Sequence, residues 1–253
     1  MNKATAIIPA RYASTRFPGK PLALIHGLPM IQHVCQRVAR AKTIERVIVA
    51  TDDLRIAQAV KAFGGEVIMT RADHPTGTDR LAEVAQQLSA DLIVNVQGDE
   101  PLIDPRMVDQ AVAPLLANPA ILMGTLAGRI DAIEDFYNPN VVKVVKDTQG
   151  LALYFSRAPI PWPRDLSREQ LADSLATVAL FRHIGLYVYR REFLLKYPLL
   201  PKTPLEILEN LEQLRALEQG VRLHVAETEF ACHGVDTPAD LERVSRLMSV
   251  EKN

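Results

Sequence analysis

The sequence predicts an α/β fold built on a single doubly wound, mostly parallel sheet, and three observations carry that prediction. Residues 4–9, 46–50, 66–69, 91–96 and 121–126 are Val- and Ile-rich runs, apolar at nearly every position, as strands covered on both faces are. Helical patterns fall between them, so strand and helix alternate through the first half of the chain, the order of parallel strands joined by crossovers. With 253 residues, 48% of them hydrophobic, the chain can bury roughly 70–75% of its extended surface in one core.

The elements follow in order. After the first strand comes a loop over residues 10–22. The second strand ends at Asp52 and Asp53, which stand at a strand-to-helix turn and are expected to cap the helix beginning near Leu54; Leu54, Ala57, Val60 and Phe63 give that helix its apolar face. Met107, Val108, Ala111, Val112, Leu115 and Leu116 recur at helical spacing after the fourth strand. Beyond residue 128 the alternation breaks down. Residues 141–145, 151–155 and 184–189 read as strands, while the prolines of 158–163 exclude both a helix and a central strand. Residues 129–200 are therefore expected to form a β-rich arm over the carboxyl edge of the sheet. Two helices close the chain. Thr203-Pro204-Leu205-Glu206 and Thr237-Pro238-Ala239-Asp240 each place Thr at the N-cap, Pro at the first helical position and an acid at the third.

Composition excludes several classes of function. Lys and Arg total 29 against 30 Asp and Glu, a formal charge of −1, so no global field would hold the protein on nucleic acid or on an anionic membrane. Cys35 and Cys232 form no C-x-x-C, which argues against a disulfide framework and a thiolate zinc site. The N-terminal apolar run is too short for a signal segment, and nothing approaches ~20 uncharged apolar residues. A soluble protein of the cytoplasm is expected.

Charge is nonetheless sorted by position. The loop over 10–22 carries Arg11, Arg16 and Lys20, the hydroxyls of Ser14 and Thr15, and no acid. Composition alone fits a solvated basic loop as well as a phosphate cradle. Its place at the carboxyl end of the first strand, where open α/β sheets bind ligands, favours the cradle. It is not a Walker A loop, because Pro21 follows Gly19-Lys20, and no G-x-G-x-x-G occurs. Asp99 lies just beyond the fourth strand, on the same edge. Glu100-Pro101 keeps it from capping the next helix, which favours a Mg²⁺-binding carboxylate over a turn residue. Asp236 precedes a threonine that already serves as the cap, and the residues alone leave it open between a loop acid and a ligand.

In 182–189 a period of two puts His183, Gly185, Tyr187 and Tyr189 on one face and Ile184, Leu186 and Val188 on the other. The first face suits a polyhydroxylated ligand or an ordinary sheet surface equally. Glu209 and Gln213, four apart in the helix after Pro204, are expected to share a face that could bond sugar hydroxyls, although a solvated polar face explains them at least as well. Arg157, past an apolar strand, could clamp a carboxylate.

The string P-A-R-x-x-S-T-R-x-P-G-K-P-L over 9–22 resembles, residue for residue, the signature loop of the nucleotidyltransferases that activate keto-sugar acids with CTP. The resemblance continues in order through T-R-A-D-H at 70–74, G-T-D-R at 77–80, N-V-Q-G-D-E-P at 95–101, Y-F-S-R at 154–157, R-H-x-G-x-Y-x-Y-R at 182–190, P-L-E-x-x-E-x-L-E-Q-L-R at 204–215 and G-V-D-T-P at 234–238. It implies a nucleotide-diphospho-sugar-transferase-like domain over 1–253, with a nucleotide-binding half at 1–128 and sugar binding and dimerisation in the arm. It implies further that Arg11, Ser14, Thr15, Arg16, Lys20 and Gln97 bind CTP, and that Asp99 and Asp236 hold Mg²⁺. Lys20, Arg11, Arg16 and the two aspartates would be the catalytic set. Gln97, Arg157, His183, Tyr187, Glu209 and Gln213 would face the sugar acid, Kdo (3-deoxy-D-manno-octulosonate) or a relative such as 8-amino-Kdo or a sialic-type acid. A homodimer is implied, with Trp162 as a contact. A non-catalytic nucleotide-binding protein is the alternative of another class, and the presence of both metal acids speaks against it. Where family members carry T-E-R, this chain has Thr78-Asp79-Arg80, so no site role is assigned to Asp79.

Overall fold

The computed structural model describes residues 4–13 and 17–250; Ser14, Thr15 and Arg16 of the basic loop lie outside the described residues. The chain opens with β1 (Ala4–Ala10), a small hairpin of β2 (Leu24–Ile25) and β3 (Leu28–Pro29), α1 (Met30–Val38), β4 (Ile44–Thr51), α2 (Leu54–Ala62), β5 (Glu66–Met69) and α3 (Gly77–Gln86). It continues with β6 (Leu92–Asn95), α4 (Pro105–Ala117), β7 (Met123–Arg129), α5 (Ile133–Tyr137), β8 (Lys143–Lys146), β9 (Ala152–Ser156) and α6 (Arg168–Ser174). The last elements are β10 (Phe181–Arg190), α7 (Arg191–Lys196), α8 (Pro204–Glu209), α9 (Gln213–Glu218), β11 (Leu223–Thr228) and α10 (Pro238–Val250).

The main path of the sheet is β11-β7-β10-β6-β1-β4-β5. Its pairings are parallel except at β10, which runs antiparallel to both β6 and β7. Helices cover both faces, as continuous apolar strands require. On one face α1, α2 and α4 pack Ile31, Val34, Ile56, Val60, Met107 and Val112 against Ala6, Ile8, Val94 and Leu186. On the other, Leu81 and Val84 of α3, Leu194 of α7 and Leu214 of α9 pack on Ile7, Ile48, Ile93 and Tyr189.

One expectation needs correcting. The strand read at 184–189 was placed in the arm, whereas β10 enters the middle of the sheet between β6 and β7. Its alternation is nevertheless as read, with Ile184, Leu186 and Val188 in one core and Tyr189 in the other. A strand with two apolar faces suits a central position, and chain order does not reveal which neighbours it will take. The arm is reduced to the β8–β9 hairpin with α5 and α6, which share a small core of Ile130, Ile133, Phe136, Leu171 and Leu180.

The caps sort the acids at the strand ends. Asp53 caps α2, accepting from the Arg55 N–H at 2.9 Å, and Asp104 caps α4 in the same way ahead of Pro105. Asp52 does not cap: its carboxylate instead faces the fully buried guanidinium of Arg80 at 3.2 Å. A buried cation needs a paired charge more than a helix end needs a second cap. Thr237 and Asp240 form the expected reciprocal cap of α10.

Candidate active site

Parallel β1, β4 and β6 end on one edge of the sheet, and their following loops carry the basic and acidic residues singled out above. Two glycines make the approach possible. Gly19 turns the basic loop with φ of 72° and donates its N–H to the Tyr12 carbonyl at 2.9 Å. At Gly98 a Cβ would stand 3.0 Å from the Pro9 carbonyl, so only glycine lets the loop after β6 run this close to β1.

Lys20 extends from the first loop to the acids. Its Nζ donates to Asp99 Oδ2 at 2.7 Å and lies 3.4 Å from Asp236 Oδ1. Two carboxylates from segments far apart in the chain thus converge on one cation, which is the electrostatic arrangement a divalent metal ion would use. Among the described residues no group of three or more His, Cys, Asp or Glu gathers for a metal, so this pair would leave most of the coordination shell to water and phosphate. Two hard oxygen donors with an incomplete shell fit Mg²⁺.

Arg11 reaches the same edge, where its Nη2 donates to the carbonyls of His74 at 2.7 Å and Thr76 at 3.2 Å. The guanidinium ties the basic loop to the turn before α3. Gln97 Nε2 approaches the Gly185 carbonyl at 3.4 Å, linking the nucleotide edge to β10.

The other residues expected to face a sugar acid lie about β9, β10 and the α8–α9 corner. His183 lies edge-on to Phe155 at 5.0 Å between ring centroids and 5.4 Å from Tyr187, with Nε2 2.9 Å from the Thr125 hydroxyl. Burial pushes the His183 imidazole down to about 3 and the Tyr187 phenol up, so both are neutral near pH 7. The expectation that Glu209 and Gln213 share a helix face is wrong: Asn210, with φ of 52°, ends α8, and Gln213 opens α9. Glu209 instead turns to the end of β9. It accepts from the Ser156 hydroxyl at 2.6 Å and the Arg157 N–H at 2.9 Å, with the Tyr154 hydroxyl at 3.4 Å. Burial works to raise the Glu209 pKa, and these hydrogen bonds outweigh it and hold the carboxyl below the usual range. The Arg157 guanidinium donates to the carbonyls of Glu209 at 2.8 Å, Pro139 at 3.1 Å and Asn210 at 3.4 Å. In this geometry it locks the α8–α9 corner onto β9. Gln213 is buried, and among the described residues its Nε2 has no hydrogen-bond partner.

Three residues went unread in the sequence. Arg80 is fully buried, and burial lowers its pKa despite Asp52; its string had been noticed, but nothing in a string reveals burial. Glu212 is held up by burial while accepting from the Thr76 hydroxyl at 3.2 Å. Glu100 is pushed up to about 7, chiefly by burial and then by the charges of Asp99 and Asp236.

Comparison with known proteins shows the family and the fold. Residues 5–223 match the family model described as Cytidylyltransferase. The chain belongs to the cytidylyltransferase family. Among curated cytidylyltransferases, the 3-deoxy-manno-octulosonate cytidylyltransferase of Geobacter sulfurreducens is 61% identical over 95% of this chain and 97% of its own length. That of Syntrophotalea carbinolica is 63% identical over 95% and 96%. A solved structure of CMP:2-keto-3-deoxy-manno-octonic acid synthetase complexed with CTP is similar with a TM-score of 0.91 and 46% identity, covering 98% of this chain and 99% of that one. The doubly wound, mostly parallel fold is therefore that of this cytidylyltransferase, and the chain is a nucleotidyltransferase. Among the described residues no helix of this cytidylyltransferase is long and apolar enough to cross a membrane.

Proposed function

We propose that the chain transfers CMP from CTP to the anomeric hydroxyl of Kdo, giving CMP-Kdo and pyrophosphate, in the cytoplasm and for lipopolysaccharide synthesis. The observation that carries this reading is the meeting of Lys20 with Asp99 and Asp236 beside the basic loop, in a chain similar along nearly its whole length to synthetases of that name. The anomeric oxygen attacks the α-phosphorus, and the bond to the bridging oxygen of the β-phosphate breaks. Lys20, Arg11 and Arg16 bind the triphosphate and stabilise the charge that grows on the departing pyrophosphate. Gln97 spans nucleotide and sugar, while Arg157, His183, Tyr187, Glu209 and Gln213 orient the acid.

None of these side chains suits a general base. His183 is depressed to about 3, and Glu209 is held below the usual carboxylate range. Asp99 and Asp236 are the residues that would hold Mg²⁺. When bound, the ion lowers the pKa of the attacking hydroxyl and neutralises the α-phosphate. Catalysis then rests on positioning and charge.

The test is pyrophosphate release from each NTP with Mg²⁺ and a panel of Kdo, 8-amino-Kdo and a sialic acid. Release with CTP and Kdo is expected; its absence overturns the reading, and release only with another acid reassigns the acceptor. A homodimer through the arm belongs to the same proposal, supported by the indole of Trp162, which is 67% exposed among prolines. A light-scattering mass equal to that of the monomer would remove it.

A further inference from the structure

Asp236 is carried by a segment with little regular structure. Residues 229–236 form neither helix nor strand, yet the carboxylate at the end of that stretch must meet one that follows β6. Arg106 stacks on Phe230, Arg243 meets the His233 ring, and Lys20 and Asp240 hold Asp236, while the backbone between them is held at two consecutive residues, Asp99 and Glu100. The Val235 N–H donates to the Asp99 carbonyl at 2.9 Å. The Glu100 carboxylate faces the His233 backbone N–H and the Cys232 thiol, both of which work to lower its pKa against the effect of burial. At Gly234 a Cβ would stand 3.1 Å from Glu100 Oε1, so the backbone passes directly over the carboxylate. Among the described residues Glu100 Oε2 is buried without a hydrogen-bond partner, which a side chain kept only to satisfy its own polarity would avoid.

We propose that Glu100 is a positioning residue of the nucleotidyl-transfer site: its carboxylate clamps residues 232–234 and thereby sets the spacing between the Asp99 and Asp236 carboxylates. This rests on the reading of those two aspartates as the metal-holding pair. Glu100 binds the loop that leaves the central β6 to a stretch that is neither helix nor strand, and the charge of Asp236 is delivered through that tie. Glutamine at 100 keeps an oxygen able to accept the His233 N–H, whereas alanine removes it. Alanine at 234 attacks the same contact from the other side, and it does so without changing an ionisable group.

The experiment uses the full chain, with Mn²⁺ alone as the probe, followed by electron paramagnetic resonance, and amide hydrogen exchange read at Val235. Glu100→Ala should weaken Mn²⁺ binding about tenfold and speed Val235 exchange at least tenfold. Gly234→Ala should shift both in the same direction by about threefold or more, and Glu100→Gln should stay within threefold of the wild type. In steady state the apparent KM for Mg²⁺ rises more than kcat falls. If Glu100→Ala leaves both Val235 exchange and Mn²⁺ affinity within twofold of the wild type, the clamp is refuted. Should Glu100→Ala fail to fold, Gly234→Ala decides by the same two readouts. Mn²⁺ binding that is indifferent to Asp99→Ala would overturn the metal reading instead, and Val235 exchange would then judge the clamp alone.

Discussion

At the edge formed by β1 and β6, Arg11 and Asp99 stand on loops that leave the ends of two parallel strands, and those loops meet because the strands are hydrogen-bonded together. At β9, β10 and the α8–α9 corner, the side chains bond backbone as well as one another, as the Ser156 hydroxyl and the Arg157 N–H do to the Glu209 carboxylate and the Arg157 guanidinium does to the Glu209 carbonyl. Lys143 of β8 is spent on the scaffold in the same way: its ammonium donates to the carbonyls of Asn138, Val141 and Arg157 and so ties together the segments that flank the β8–β9 hairpin. In the first region the charged side chains pair chiefly with one another, Lys20 with Asp99 and Asp236, while Arg11 holds the carbonyls of His74 and Thr76. In the second the side chains are themselves part of the scaffold. A substitution at the first should therefore change chemistry without changing stability, and one at the second should change stability before chemistry.

The largest effect is expected at Asp99. Asp99→Ala should lower kcat/KM by about 10³ or more, on the order of 4 kcal/mol of transition-state stabilisation. The same variant should unfold in urea within about 1 kcal/mol of the wild type, because Asp99 is partly exposed and its partner Lys20 can turn to solvent. A comparable loss of stability would show that the two regions are not distinct. Lys143→Met is the converse probe. It leaves three carbonyls without their ammonium donor and should cost about 2 kcal/mol by urea denaturation, with kcat changed much less than in Asp99→Ala.

A smaller effect tests the aromatic cluster on β10. Burial holds the His183 pKa at about 3 in the fold, against 6.5 as its ordinary value. The folded state thus binds fewer protons than the unfolded one between these values, so this contribution is complete above pH 6.5 and is lost as pH falls towards 3. On lowering the pH from 8 to 5, the wild type should lose about 2 kcal/mol more stability than His183→Gln. Equal losses in urea titrations at the two pH values would mean that the imidazole is solvated, and that this face of β10 belongs with the exchangeable first region.

What the sequence disclosed follows the same division. The basic loop, the place of Asp99 past the fourth strand, the caps at Asp53 and Thr237 and the alternation of β10 were legible because each depends on a few adjacent residues. The place of β10 inside the sheet, the break at Asn210 and the pairing of Asp52 with Arg80 were not, because each is decided by a partner remote in the chain. Glu209 and Gln213 were misread for a related reason: a helical spacing of four is informative only if the helix continues, and a residue in the left-handed region stops it.

Asp79 gives the smallest and sharpest case. It departs from the glutamate that the family resemblance led one to expect, at the edge where departures should affect chemistry. Yet its carboxylate is engaged locally: Oδ2 accepts from the Thr76 N–H at 3.0 Å and from the Thr76 hydroxyl at 2.7 Å, while the Thr76 hydroxyl accepts from the Asp79 N–H at 3.2 Å. This reciprocal cap of α3 is a pattern that glutamate also makes. Asp79→Glu should therefore change stability by about 0.5 kcal/mol or less and leave kcat/KM within about twofold. A larger fall in kcat/KM with stability unchanged would mean that the extra methylene displaces Thr76 against Glu212 and Arg11, whose bonds converge on that turn. In that event the α3 cap would belong to the nucleotide edge as a working part, and the boundary between the two regions would run through Thr76 instead of behind it.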